Sequence, residues 1–302
     1  MTALHDTTCD LTTVVGIPVL PYRADGSIDD RAAGELAARL VDAGLGVLTP
    51  NGNTGEFYAL SPTERRIALH AVLDAVRGRA RIVAGVGLDL DTATTEARAA
   101  VDAGADAVMV HQPVLPYLSP EGWVDYVATV ASAVPENAVL PYVSSPIVQG
   151  AQVTELVRRC PNVVGLKYSV PDPVAFARTV HETEPELLWI AGLAESYAPS
   201  AWQSGARAFT SGLVNVAPHL SLELLEALRA GDLERISRLQ GTIREFEAMR
   251  SRNRSADNVS VVKEAMHQLG LCDRSVRPPS SLLREADRSA IGRMLEGWGI
   301  AA

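Results

Sequence analysis

Eight short runs of β-branched and apolar residues recur along this chain, and a longer stretch with helical spacing follows each of them. No other feature limits the fold so tightly. The runs cover residues 13–19, 46–50, 81–86, 107–111, 138–143, 163–168, 187–191 and 207–211. Several are apolar nearly throughout, the pattern of parallel strands buried on both faces. Helical stretches over 29–43, 61–76, 91–103, 119–133, 152–160, 172–184 and 194–204 lie between them. Ser61-Pro62-Thr63-Glu64 reads as an N-cap, a proline at the first helical position and a capping-box glutamate. Ser119-Pro120 and Asp172-Pro173 repeat the cap-plus-proline signature.

A weak internal repeat fits the same unit. LVDAGLGVL at 40–48 resembles AVDAGADAV at 100–108, with a looser copy at 202–209. Each copy ends a helix at a glycine (Gly44, Gly104, Gly205) and returns into a strand. Eight such units predict an α/β fold of the (β/α)8 TIM-barrel type. The alternative is an open doubly wound sheet, and the lack of a cofactor loop weighs against it. After the eighth strand only helical patterns follow, at 221–229, 233–250, 258–269 and 284–296, with Arg277-Pro278-Pro279 in an extended connection at 274–281. The predicted division is therefore a barrel over 1–220 and a C-terminal α-helical extension over 221–302. The 302 residues alone would suggest two domains, but a single barrel also reaches this size.

Composition narrows the function classes. With 47% hydrophobic and 21% charged residues the chain reads as a soluble globular protein. No apolar run approaches the ~20 residues of a membrane span, and a net charge of −9 disfavours nucleic acid and anionic membranes as partners. Three scattered cysteines (Cys9, Cys160, Cys272) form neither a disulfide framework nor a zinc pattern. A cytoplasmic location is the expectation.

Phosphate-loop, serine-elbow and zinc-helix motifs are absent. The six histidines show no ligand spacing, so no metal is expected. What remains lies at the C-terminal ends of the strands, where barrels of this kind build their sites. Of 27 basic residues only Lys167 and Lys263 are lysine. Lys167 follows the apolar Val163-Val164-Gly165-Leu166, which predicts an amine in the barrel mouth. Desolvation there would leave it neutral and able to attack a carbonyl. The plainer alternative is a strand-end lysine paired with Glu56. Lys263, inside a helical pattern, is expected to be solvated or at an interface. Tyr142 ends the neighbouring strand and is either a proton carrier or a half-buried core tyrosine. Asn51-Gly52-Asn53-Thr54-Gly55-Glu56 is either a carboxylate cradle, built from Gly52, Asn53 and Thr54, or an ordinary turn.

Together, and in this order, these segments resemble the dihydrodipicolinate synthase/N-acetylneuraminate lyase family over nearly the whole chain. Gly52-Asn53-Thr54-Gly55-Glu56 is similar to its Gly-Thr-Thr-Gly-Glu loop, Gly165-Leu166-Lys167 to its Schiff-base segment, and Tyr142 falls at its relay tyrosine. Val261-Val262-Lys263-Glu264-Ala265 and Arg277-Pro278-Pro279 resemble features of its helical extension. The resemblance implies a lyase or dehydratase in which Lys167 binds a 2-oxo acid covalently and Tyr142 moves protons. It implies no cofactor beyond that lysine, and a homo-oligomer built as a dimer of dimers. Ser169, Gly192, Ser211 and Tyr117 are the candidates for the rest of the substrate. The chain departs from the synthases at Asn53 and Val143, and no arginine follows Tyr142 in Val143-Ser144-Ser145-Pro146. Asn53-Thr54-Gly55-Glu56-Phe57 and Leu115-Pro116-Tyr117-Leu118 look closer to the 5-dehydro-4-deoxyglucarate dehydratase branch. The rival readings are a synthase or other pyruvate-dependent aldolase, a barrel that binds a 2-oxo acid without turning it over, and a metal-dependent class II aldolase.

Overall fold

A computed structural model describes residues 7–114 and 117–300. The strands are β1 (Val14–Gly16), β2 (Val47–Leu48), β3 (Arg81–Val86), β4 (Ala107–Val110), β5 (Ala138–Val143), β6 (Gly165–Tyr168), β7 (Leu188–Ala191) and β8 (Ala208–Ser211). They follow one another in chain order around a closed barrel. Helices α1 (Asp30–Asp42), α2 (Pro62–Val76), α3 (Leu90–Asp102), α4 (Pro120–Ala133), α5 (Gly150–Arg159), α6 (Pro173–Glu182) and α7 (Ala194–Gln203) alternate with the strands. Helices α8 (Pro218–Ala230), α9 (Leu233–Ser255), α10 (Asn258–Gln268) and α11 (Glu285–Gly297) follow β8. The (β/α)8 barrel with a C-terminal helical extension is thus the observed fold.

Local chemistry explains most boundaries. Ser61 closes the anticipated capping box with Glu64, and Ser119 and Asp172 cap α4 and α6 ahead of their prolines. Gly44, Gly104 and Gly205 have φ of +101°, +103° and +113°, which a side chain rarely tolerates. The amide after each glycine reaches back to the helix it leaves: Leu45 to Leu40 O at 3.1 Å, Ala105 to Ala100 O at 3.0 Å and Ala206 to Ala201 O at 2.9 Å. The sequence repeat is therefore a repeated helix stop.

Strand 1 ends before the run 13–19 does, because Pro18 has no N–H to offer a ladder. The helix expected at 221 begins at Pro218, at its favoured first position. Helix α9 passes its expected end at 250 only across a break, where Arg252, Asn253 and Arg254 leave helical geometry.

The described residues pack as two compact units, those within Met1–Val15 with Arg81–Thr210 and those within Gly16–Ala80 with Ser211–Ala302. In the first, β3 to β8 pair in parallel, with Gly85↔Met109, Met109↔Leu140, Tyr142↔Lys167, Lys167↔Ile190 and Ile190↔Ala208 in register. The Asn162 amide bonds Ala131 O and Val134 O, both at 3.0 Å, and so ties the end of α4 to the start of β6. In the second unit, Leu20, Tyr22, Ile28, Ala33, Leu60 and Ala68 form a small core. Asn215 there accepts from Val19 N at 3.1 Å and donates to Ile17 O at 2.8 Å, fixing the loop after β1.

Candidate active site

The first unit carries Lys167 and Tyr142. Their Cα atoms are register partners on β6 and β5, so the two side chains emerge from adjacent strands on the same face. The Lys167 amine sits 4.4 Å from the centre of the Tyr142 ring. Lys167 is only 5% exposed, and burial alone brings its amine from 10.5 down to about 8. At pH 7 that leaves roughly 300-fold more neutral amine than a free lysine has.

Gly192, just past β7, makes room for this lysine. A Cβ at Gly192 would fall 2.0 Å from Ser169 Oγ and 2.9 Å from Lys167 Cγ. Gly192→Ala should therefore cost about 1–3 kcal/mol of stability, read from a urea midpoint, and displace the lysine stem. The buried Ser169 hydroxyl beside it has no hydrogen-bond partner among the described residues. The structure thus brings Lys167, Tyr142, Ser169 and Gly192 together. Tyr117 is different: it is 94% exposed, and Leu115 and Pro116 before it lie outside the described residues.

The second unit carries the Asn-Thr-Gly loop. Gly52 precedes a 3₁₀ turn at Asn53–Gly55 and lies so close to Ile17 that a Cβ would come within 2.6 Å of its methyl group. Thr54 is buried, Asn53 is partly exposed, and Glu56 follows in a left-handed conformation with φ of +59°. Glu56 holds the turn from below, its Oε1 2.5 Å from Lys263 Nζ and its Oε2 accepting from Arg277 N at 2.8 Å. Lys263 also donates to Ser275 O at 2.9 Å and sits 4.1 Å from the centre of the Tyr22 ring.

The expectation of a solvated Lys263 is thus wrong. Helix α10 is buried on every side from Val259 to Met266, and no solvated face exists for the lysine to occupy. Burial lowers the Lys263 pKa against the opposing pull of Glu56. Glu56 is accordingly committed to Lys263. The adjoining Arg277 binds Glu64 at 2.6 Å and holds its carboxyl down to about 2. Tyr22 is pushed well above the ordinary phenol range, by burial first and by Glu56 second.

Ser211 is fully buried; its hydroxyl meets Ser221 Oγ at 3.1 Å and accepts from Val214 N at 3.1 Å. These two bonds tie it to the turn after β8. Sequence reasoning missed Arg250, whose guanidinium occupies the space a side chain at Gly212 would fill. A Cβ there would meet Arg250 Nη2 at 2.5 Å and Thr54 Oγ1 at 3.0 Å. Glu247 at 2.5 Å and Asn258 at 3.0 Å hold that arginine. Nothing local in the sequence marks a helix-end arginine for this position.

The family model described as the dihydrodipicolinate synthetase family matches residues 10–297. A probable 5-dehydro-4-deoxyglucarate dehydratase of Methylobacterium radiotolerans is 30% identical over 285 residues, 93% of either chain. A crystal structure of dihydrodipicolinate synthase from Bacillus clausii superposes with a TM-score of 0.93 at 38% identity, over 97% of this chain and 99% of that one. The synthase from Oceanobacillus iheyensis gives 0.94 at 35% identity, over 98% and 99%. Such matches on such a barrel define an enzyme of the lyase class, of the class I aldolase type. The chain belongs to the dihydrodipicolinate synthetase family.

Proposed function

We propose that Lys167 forms a Schiff base with the ketone of a 2-oxo acid and that the protein uses it as a dehydratase, with a sugar diacid of the 5-dehydro-4-deoxyglucarate type as substrate. The observation that carries this reading is the desolvated amine stacked on a tyrosine at paired strand ends. The neutral amine adds its lone pair to C2, and the carbonyl oxygen leaves as water after taking up two protons. The resulting iminium draws the C3–H electron pair inward, and an enamine forms as the proton departs. Expulsion of a hydroxide from the adjoining carbon, protonated to water, completes a dehydration. Tyr142 moves the protons on this reading, and Asn53 and Thr54 hold the carboxylate with the amides of their turn. Ser169 and Gly192 are left to the distal part of the substrate.

No external cofactor is needed, because the lysine itself supplies the electron sink. The dehydratase branch is supported by the names of the relatives and by the lack of an arginine after Tyr142. The identities to the two synthase structures favour a second reading, a pyruvate-dependent aldolase. A cytoplasmic dimer of dimers completes the proposal.

Borohydride trapping with pyruvate and with longer 2-oxo acids, read by intact mass and peptide mapping, tests it. No adduct on Lys167 with any of them removes the Schiff-base reading, and an adduct confined to pyruvate favours the second reading. The rate of imine formation should rise about tenfold per pH unit and level off near the Lys167 value of about 8. A rate still climbing into the range of ordinary lysines contradicts a desolvated nucleophile.

A further inference from the structure

We propose that His111 is the second proton carrier of this site, exchanging protons with Tyr142; the inference rests on the Schiff-base reading. His111 immediately follows β4, and its backbone N–H donates to Val86 O at 2.8 Å, which fixes it at the level of the strand ends. Its ring is 1% exposed and meets the Tyr142 ring edge to face, with centroids 5.9 Å apart and planes at 82°. The same phenol carries the Lys167 amine at 4.4 Å from its centre. One tyrosine therefore touches both the proposed nucleophile and an imidazole. The neighbouring Gln112 accepts from Ser144 N at 3.2 Å, tying the segment after β4 to the one after β5 and holding the two rings at a fixed spacing.

Chemistry gives the pairing a purpose. When the iminium loses its C3 proton, the C–H electron pair becomes the C2–C3 double bond and the C2=N π pair moves onto nitrogen. The proton needs an acceptor, and a neutral phenol is a poor one. If Tyr142 has first passed its own proton to an imidazole nitrogen of His111, its phenolate oxygen can take the C3 proton. The phenolate and imidazolium together carry no net charge, and the iminium beside them favours the phenolate. An imidazole is the side chain that accepts and returns a proton near neutral pH.

The test is exchange of the pyruvate methyl protons in D2O, followed by NMR, beside borohydride trapping of the same samples. Absence of a wild-type adduct on Lys167 defeats the Schiff-base reading and this proposal with it. A wild-type protein that forms the adduct without exchanging protons defeats the proposal alone. Where wild type does both, His111→Asn should keep the trapping yield and lose about 10²-fold in exchange. Added imidazole should restore exchange in His111→Ala. Wild-type exchange in His111→Asn overturns the proposal. So does a parallel loss of trapping and exchange in both His111→Asn and His111→Gln that imidazole leaves unmoved, because that marks a purely structural ring.

Discussion

Lys167→Met is expected to abolish covalent capture of every 2-oxo acid and, at the same time, to make the protein more stable. The two outcomes have one cause. Lys167 is buried, and among the described residues no carboxylate offsets its desolvation, so its folded-state pKa of about 8 lies below the ordinary 10.5. Between those values the unfolded chain binds a proton that the folded chain does not, so stability rises with pH through that window. Below pH 8 both states are protonated and the full penalty remains, of the order of 3 kcal/mol. Methionine carries no charge and fills nearly the same volume. The gain in unfolding free energy should therefore be largest at neutral pH and shrink towards pH 10.5. Urea unfolding of both proteins across that range measures it. Equal stability at neutral pH would mean that the lysine is better solvated than its surroundings indicate.

Lys263→Met should do the opposite. The other lysine has a buried partner, Glu56, 2.5 Å away with both side chains out of water. Removing the amine strands a carboxylate in the interior, and breaking such a pair from one side costs about 3–5 kcal/mol. Adding Glu56→Gln removes the stranded charge while keeping an acceptor for the Arg277 amide. The double variant should recover much of the loss, and a double-mutant cycle of urea midpoints reads the coupling. Additive losses would show that the pair is not coupled. Because Glu56 ends the Asn53–Gly55 turn, the proposed role of that turn in holding the carboxylate predicts weaker 2-oxo acid binding by folded Lys263→Met protein.

These two variants mark what was legible in the sequence. The alternation of strand and helix, the capping residues and the recurrent glycine stops are local signals, and the barrel follows from them. Lys167 and Tyr142 were legible for the same reason: each ends an apolar run, and barrel sites lie at strand ends. The Lys263–Glu56 pair was not, since it joins residues 207 positions apart. An isolated charged residue in a helical pattern reads as solvent-facing unless its neighbours on every side are known. Arg250 was hidden in the same way, because only the absence of a side chain at Gly212 gives it room. His111 was visible at the end of strand 4, but its value lies in the ring it touches, and ring contacts have no sequence period.

Both lysines are buried, and the chain has no others. Its outer surface is therefore free of side-chain amines, an uncommon state for a protein of this length. Reagents that acylate lysine, and enzymes that attach acyl groups or small proteins to it, meet no exposed target among its side chains. A small amine-selective reagent that does modify a side chain must have reached an interior lysine. Peptide mapping of Lys167 against Lys263 under limited acylation would then gauge how far the strand-6 amine is open to small molecules, with no knowledge of the substrate required.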